Sequence, residues 1–481
     1  MWPNDRWHKI FSPLPSHTPP EPSQVATYRN VGVYLAIRTA CERVGLLDAI
    51  RDVLPGYQDL LLALVTYLID EPQATGCLFD GWCHHNYCGF PSPVSDAAVA
   101  DLFRDLIESG VGPDGLTGRF CEAYQANVFE GKGRALVLEH RQGDQCGEYG
   151  STQELCQALL VDERTSIPLT VADYCGPILD VTETRATMGS IHALGVESLL
   201  FVVGGAYATD ERAEEFAESG YEFAAEVPRS HDLYRYAMAE KSEEVRLEAC
   251  YLYREDCYAT VTEAHDCLGG TFDVHLFFDR TRAKSDVDAI HEEGMALLDL
   301  ANKHVDHTEK LRDAFAPCVP ITQTLRDPRA SKNFNAALNA SYYQPQVDNA
   351  GYFSLVASPG HTSQEILRAY RIHQRVGEHF ARYNKSLDSF VSDPRTHAAK
   401  TLIAFIALVA TESILWYIRD LSENHRDIAL VLAKIRKLQC LKDDHGTGRL
   451  ATRLTSHQKE IFSCLGLDEH DIAEMVAQLS L

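Results

Sequence analysis

The chain has 481 residues, of which 45% are hydrophobic and 23% are charged, and its formal net charge is −25. These values are typical of a folded protein with more than one domain and exclude a disordered one. Nucleic-acid binding depends on clustered Lys and Arg. A chain this acidic therefore favours a protein partner over bare DNA.

Cysteine usage and hydropathy bear on the compartment. The fourteen cysteines have no short-spacing framework, and no basic-then-apolar leader is present, which indicates a reducing, cytoplasmic compartment. The longest apolar run, TLIAFIALVATESILWYI, carries Glu412 near its middle. We therefore expect a buried core helix there and no membrane span.

The N-terminal third is expected to be helical after an extended start. Residues 1–24 are rich in proline and have no apolar periodicity, which predicts an extended arm. Across 25–130, apolar residues recur at three- and four-residue steps, which predicts a helical domain. Within it, Ser95 is expected to cap a helix that ends at Gly110.

The sequence pattern then changes to short segments typical of β-strands. In 131–219 we predict the order β-β-β-α-β-α. The first strand is ALVLEH, and CQALLVDERTSIPLTVADY forms the second and third strands with a hairpin turn at DERTS; then come the helix TRATMGSIHALG, the strand LLFVVGGAY and the helix TDERAEEFAESG. Residues 220–355 predict a β-rich insertion around one charged helix. Long helices are expected in 356–440 and a helical tail in 441–481.

This order of elements resembles the insertion-sequence DDE transposases, in particular the group with a Tyr-Arg-Glu-Lys signature. The matching segments, in the family's order, are YRNVGVYLAIRTACERVGLLDAI, ALLVDERTSIPL, ADYCGPILDVTET with Gly176 and Asp180, GYFSLVAS, YRIHQRVGEHF and RLTSHQKEIFSCLGL. The resemblance implies an α/β fold, a ribonuclease-H-like core with a β-rich insertion, flanked by helical N- and C-terminal regions. In that family three carboxylates hold two Mg²⁺ or Mn²⁺ ions for phosphoryl transfer on DNA.

The resemblance places the first two acids at Glu139 and Val203. The family has Asp at the first position, so Glu139 is either a weakened metal ligand or an ordinary strand-end Glu with a solvated carboxylate. At the second position the family pattern Asp-Arg-Gly-aromatic-Tyr is replaced by VGGAY, which begins at Val203. Magnesium requires hard oxygen ligands, and valine has none.

The third acid depends on the helical register. Starting from Tyr370, the signature falls on His373, Gly377 and Asn384, whereas a one-residue shift selects Glu378 and Lys385. At about 100° per residue, the first set lies beside a predicted buried stripe, and Glu378 and Lys385 lie on the solvent side. The stripe comprises Val376, Phe380, Tyr383, Leu387 and Phe390. The signature position is therefore Gly377, with Glu378 as the fallback.

Two other segments contain residues that can bind a metal ion or a phosphate. CLFDGWCHHNYCGF contains five potential zinc ligands, namely Cys77, Cys83, His84, His85 and Cys88. Adjacent histidines point apart in regular structure, so a zinc site and a merely structural loop both remain open. The Gly204-Gly205 turn lacks the residues that accompany a phosphate-binding loop, and a turn requires glycine for backbone reasons alone.

The sequence thus predicts a transposase-derived protein that is catalytically inactive, needs no cofactor and acts as a protein-binding or architectural subunit. One alternative is an active DDE transposase that uses Mg²⁺ or Mn²⁺ and recruits Asp162, Asp180 or Asp210 to join Glu139 and Glu378. Another is a DNA-binding regulator without cleavage. A homo-oligomer is compatible with each hypothesis.

Overall fold

A computed structural model describes most of the chain. The described residues are 28–71, 73–90, 94–110, 113–128, 133–141, 156–174, 178, 196–205, 210–267, 270–303, 317–319, 321–323, 334–391, 393–421, 427–442 and 448–479. The predicted arm at 1–24 and the helix TRATMGSIHALG lie outside these residues.

The described residues form a mixed α/β fold. The helices are α1 (Gly32–Arg43), α2 (Leu46–Val53), α3 (Gln58–Asp70), α4 (Phe79–His85), α5 (Asp96–Ser109), α6 (Pro113–Asn127), α7 (Asp210–Ser219), α8 (Asp232–Lys241), α9 (Arg280–Lys303), α10 (Ala340–Asp348), α11 (Ser363–Asp388), α12 (His397–Tyr417), α13 (Ile428–Ile435), α14 (Ser456–Cys464) and α15 (Glu469–Ala477). The strands are β1 (Tyr28–Asn30), β2 (Arg134–Arg141), β3 (Cys156–Asp162), β4 (Pro168–Tyr174), β5 (Ser198–Val203), β6 (Glu222–Val227), β7 (Tyr251–Leu252), β8 (Cys257–Cys267), β9 (Gly270–Phe278), β10 (Ile321–Gln323), β11 (Phe334–Ala336), β12 (Tyr352–Ala357), β13 (Gln439–Lys442) and β14 (Gly448–Leu450).

The chain divides into two compact units. Unit 1 comprises 1–130, 167–169 and 379–481, and unit 2 comprises 131–166 and 170–378. Unit 1 is therefore built from both ends of the sequence, and unit 2 from its middle.

Unit 1 is a helical assembly around α12. Every residue from Thr401 to Ile414 is at most 1% exposed, and α1, α3, α5 and α6 pack against this helix. In the described part of the chain, α12 is the one helix long and apolar enough to span a membrane, but 83% of that apolar window is buried inside the protein. The core helix predicted from this run is confirmed.

Several buried polar side chains of this core have partners. The Glu412 carboxylate lies 3.2 Å from Nδ1 of His379, and the hydroxyls of Tyr383 and Thr411 are 2.7 Å apart. Elsewhere in unit 1, the buried Asp70 carboxylate accepts from the indole N–H of Trp82 and from the guanidinium of Arg436. Such pairing offsets the cost of burying polar groups.

Unit 2 is organised by a nine-stranded sheet in the order β4-β3-β2-β5-β6-β12-β9-β8-β7. β2 pairs in parallel with β5, and β5 with β6. β3 is antiparallel to β2, while β12, β9 and β8 continue the other side as antiparallel strands. Every described side chain of β3 and β12 is buried, as expected for a sheet covered on both faces.

Helices of unit 2 cover the sheet through aromatic contacts. On one face, Phe216 of α7 packs on Phe201 of β5 and Phe223 of β6. On the other face, Tyr370 of α11 stacks on Phe353 of β12. Alternation of side chains along the strands places the two contacts on opposite faces.

Several local predictions are confirmed. The DERTS turn joins β3 to β4, where the Ser166 N–H donates to the Asp162 carbonyl oxygen. The Ser95 hydroxyl caps α5 by accepting from the Ala98 N–H, and Gly110 ends the helix with a φ of 64°. Glycine tolerates this left-handed conformation without strain.

Two regions differ from the prediction. β6 lies at the start of the segment interpreted as an insertion, yet it pairs directly with β5. β13 and β14 lie where long helices and a helical tail were expected, and they form a three-stranded sheet with β1. These strands are short and pair with distant partners, so apolar periodicity within each segment carries little signal for them.

Truncating the α12 core is expected to destabilise unit 1. Phe405 is fully buried, so Phe405→Ala should lower the free energy of unfolding by about 3–5 kcal/mol through lost burial and a cavity. Leu430→Ala on α13, where the side chain is 48% exposed, should cost less than about 1 kcal/mol. Urea unfolding followed by the fluorescence of Trp82 and Trp416 measures both; equal losses would contradict a core centred on α12.

Candidate functional site

The carboxyl ends of β2 and β5 bring together Glu139 and Val203, the two positions that the sequence resemblance assigned to acids. In their parallel pairing, Leu138 lies opposite Val202, so the next residues, Glu139 and Val203, are neighbours on one face of the sheet. Both side chains are buried, at 6% and 1% exposure. The position of a second acid is thus taken by an apolar side chain.

Glu139 is engaged by groups of the protein itself. Its Oε2 accepts a hydrogen bond of 3.1 Å from the Gly204 N–H, and its Oε1 lies 3.5 Å from the Tyr174 hydroxyl. The backbone oxygen of Glu139 lies 2.8 Å from Nε2 of His373 on α11. A solvated strand-end side chain is therefore the wrong description, because the carboxylate is a buried acceptor at the junction of β2, β4 and β5.

The turn after β5 has a packing reason for its second glycine. A Cβ on Gly205 would lie 3.1 Å from the Glu226 carbonyl oxygen and 3.2 Å from Pro228. Such contacts are too close for most side chains, so close backbone approach accounts for this residue. Gly204 contributes the N–H that Glu139 accepts.

α11 presents the signature residues as the helical register predicts. Val376, Phe380, Tyr383 and Leu387 are fully buried, whereas Phe390 lies beyond the end of the helix and packs on Tyr67 and Phe79. Glu378 and Lys385 are exposed. The fallback acid therefore points to solvent and is not part of the site.

Gly377 leaves open space on α11. Among the described residues, no atom lies within 4 Å of the position that a Cβ would take there. His373, one turn earlier, is the signature residue that contacts β2. The helix thus comes close to Glu139 without supplying a carboxylate.

Two histidines in this region are held in the uncharged form. Burial lowers the pKa of His140 to about 4, and nearby His373 contributes to the shift. Burial also lowers the pKa of His373, partly offset by its hydrogen bond to Glu139. Because a carbonyl oxygen can only accept, the Nε2 of His373 carries the proton.

The other acids proposed for an active enzyme are not brought to Glu139. Asp162 lies opposite Ala135, at the far end of β2, about 13 Å along the strand from Glu139. Its carboxylate accepts from the Arg164 N–H and the Thr165 hydroxyl and stabilises the hairpin turn. Asp180 lies outside the described residues, as does the side chain of Asp210.

The cysteine- and histidine-containing segment does not converge on one point. Cys83 and Cys88 are buried, whereas Cys77, His84 and His85 are exposed. Within the described ranges, no group of three His, Cys, Asp or Glu side chains is placed to hold a metal ion. The segment instead anchors α4, through the hydrogen bond from Trp82 to Asp70.

Sequence reasoning missed three partners of Glu139: the Tyr174 hydroxyl, the Gly204 N–H and His373. His373 was identified as a signature position, but its contact spans 234 residues of sequence.

Neither a scan against models of protein families nor a search of curated proteins finds a match to this chain.

Gly377 offers a direct test of the open space on α11. Gly377→Ala should raise the free energy of unfolding by about 0.5–1 kcal/mol, because alanine loses less backbone entropy in a helix and meets no neighbour. In Gly32→Ala, by contrast, the new Cβ would lie 2.1 Å from the Ile435 carbonyl oxygen, so this variant should be destabilised by about 1–3 kcal/mol. Urea unfolding compares them; a destabilised Gly377→Ala would show that the space is filled.

The buried His140 predicts a loss of stability in mild acid. Its pKa is about 4 in the folded protein and near 6.5 in the unfolded chain, so between these values only the unfolded state binds the proton. The stabilisation is complete above pH ~6.5, falls as the pH drops toward 4, and amounts to roughly 3 kcal/mol in total.

Hydrogen exchange of β2 peptides near pH 7 and near pH 5, corrected for the intrinsic exchange rate, measures this loss. The His140→Gln variant should lose less protection on acidification than the wild type. Equal losses in the two proteins would show that other groups carry the pH dependence.

Proposed function

We propose that the chain is a transposase-derived protein with a ribonuclease-H-like core that performs no phosphoryl transfer and serves as a protein-binding or architectural subunit. The sheet supports the fold: β4, β3, β2, β5 and β6 are neighbours in this order, with β2, β5 and β6 parallel. The resemblance implies three strands followed by a fourth, and β2, β3, β4 and β5 agree with it. It gives GYFSLVAS as the last core strand, whereas β12, which this segment forms, is separated from β5 by β6 and is antiparallel to it.

The observation that carries the proposal is Val203 beside Glu139. Two-metal phosphoryl transfer needs several oxygen ligands around one point. Here the second position is an apolar, buried side chain, and the third is Gly377, which has no side chain. The Glu139 carboxylate is already hydrogen-bonded by Gly204. These residues do not fit a pair of magnesium ions.

The same residues have a structural use. Glu139 accepts from a strand end and from a neighbouring tyrosine, so it helps to hold β2, β4 and β5 together at their junction. A fold kept without its acids suits a role in binding. The net charge of −25 favours a protein as partner, and a second copy of the chain is included in that class. The free thiols among the described cysteines suit a reducing, cytoplasmic compartment.

Manganese binding tests the loss of the site. Isothermal titration of the wild-type protein with Mn²⁺ should give no saturable micromolar binding, and Glu139→Gln should give the same result. The double variant Glu139→Asp, Val203→Asp places two carboxylates at neighbouring positions on one face of the sheet and should gain binding.

Cleavage assays separate the alternatives. Micromolar Mn²⁺ binding by the wild type that Glu139→Gln abolishes, together with metal-dependent DNA cutting, would overturn the proposal in favour of an active transposase. Circular dichroism of each variant controls for folding, because Val203→Asp buries a carboxylate when no metal is bound.

A further inference from the structure

Within the residues that the structure describes, the small sheet of unit 1 has one buried face and one partly exposed face, which we call the outer face. β13 is its central strand, flanked by β1 and β14. On the inner side, Leu438 and Cys440 are fully buried. The alternate residues of the same strands point the other way. Those on the outer face include Tyr28, Asn30, Gln439, Leu441 and Arg449.

The register sets the neighbours on this outer face. Leu441 lies between Tyr28 on β1 and Arg449 on β14. The Tyr28 side chain is 52% exposed, and Arg449 is also exposed. An aromatic ring and a guanidinium therefore lie on the same solvent-facing row, separated by one strand.

Amide side chains form a second row on the same face, two residues along the strands from the row of Tyr28 and Leu441. The Gln439 amide donates to Asn30 over 3.2 Å, and the Asn30 amide donates to Asn86 over 3.1 Å. These hydrogen bonds fix the orientation of the amides on a partly exposed surface. Side-chain amides at fixed positions are groups that contact the edges of nucleic-acid bases.

The charge of this region is opposite to that of the chain. Residues 434–453 contain six Lys and Arg against two Asp, a formal net charge of +4, whereas the whole chain carries −25. Lys437, Arg449 and Arg453 are exposed, and none forms an ion pair with a residue that the structure describes. The pairing of β13 and β14 extends to a hydrogen bond between Gln439 and Ala451. Lys437 precedes β13 by two residues and Arg453 follows β14 by three, so both belong to the same end of this antiparallel pair.

Like charges that lie on one small surface repel each other, and a bound anion offsets this repulsion. A polyanion is therefore the ligand that this face favours electrostatically. An acidic peptide would satisfy the cations but would leave the ring of Tyr28 without a stacking partner. A regular duplex would satisfy the phosphate contacts, but its bases remain stacked on each other.

We propose that the outer face of the β1-β13-β14 sheet binds single-stranded nucleic acid: Lys437, Arg449 and Arg453 contact phosphates, Tyr28 stacks on a base, and the amides of Gln439 and Asn30 contact base edges. Cations combined with an aromatic platform characterise proteins that bind single strands. This activity is independent of the fate of Glu139, because every residue involved belongs to unit 1.

Fluorescence anisotropy tests the proposal with the full-length chain. The probes are a fluorescein-labelled DNA strand of mixed sequence about 20 nucleotides long, the corresponding RNA, the same DNA annealed to its complement, and a labelled oligoglutamate peptide. The single strands should bind saturably. With three phosphate contacts, raising the salt from about 50 to about 200 mM should weaken binding roughly twentyfold.

Variants assign the binding to this face. The double variant Arg449→Glu, Arg453→Glu should weaken binding at least about tenfold, and Tyr28→Ala should weaken it about fivefold or more. Tyr28→Phe should bind like the wild type, because the ring is retained. Lys385→Glu reverses one charge at an exposed residue of α11, outside this sheet, and should weaken binding less than about twofold, by long-range charge alone.

Four outcomes would overturn the proposal. They are the absence of single-strand binding, an equal loss in the Lys385→Glu control, tighter binding of the duplex, and tight binding of oligoglutamate with no effect of Tyr28→Ala. The third would assign the face to duplex DNA, and the fourth to an acidic protein segment. Thermal unfolding of each variant confirms that it is folded.

Discussion

The parallel pairing of β2 with β5 is the constraint on which unit 2 depends. It places the ends of two buried strands side by side, so that Glu139 and Val203 become neighbours. Everything else in the sheet is attached to this pair: β3 and β4 on one side, β6 and the antiparallel extension on the other. A parallel pair cannot be joined by a tight turn, and the sequence between Arg141 at the end of β2 and Ser198 at the start of β5 is long enough for a crossover connection.

The same pairing accounts for the chemistry of the two strand ends. Val203 at the end of β5 adds to the buried apolar surface, whereas a carboxylate there would need a metal ion or several donors. The Glu139 carboxylate has such donors within reach, the Gly204 N–H and the Tyr174 hydroxyl. In the structure, the side chains at these two strand ends are in contact with other residues of the protein itself.

Much of the architecture was predictable from local pattern. The β3–β4 hairpin was predicted from its turn residues, and α5 was predicted from its capping Ser95 and terminal Gly110. The burial of α12 was predicted from its apolar residues, because Glu412 near the middle argues against a membrane span. The buried stripe of α11 followed from helical geometry and held as far as Leu387. Each of these signals lies within a few dozen residues of sequence.

The features that could not be predicted depend on distant contacts. β6 is short and reveals itself only by pairing with β5. The contact of His373 with Glu139 and the pairing of Asn30 with Gln439 join residues hundreds of positions apart. The outer face of the small sheet could not be predicted either, because Tyr28 and Arg449 are brought onto one face only by the pairing of β1 and β14 with β13.

The discontinuity of unit 1 has a consequence for synthesis. Helices α1, α3, α5 and α6 leave the ribosome before unit 2, and α12, the helix they surround, follows α6 by about 270 residues. At about 5–20 residues per second, the delay is on the order of 10 to 60 s. During that time the apolar faces of these helices have no core helix to pack against, so we expect the N-terminal quarter of the chain to bind chaperones until α12 emerges and completes the bundle.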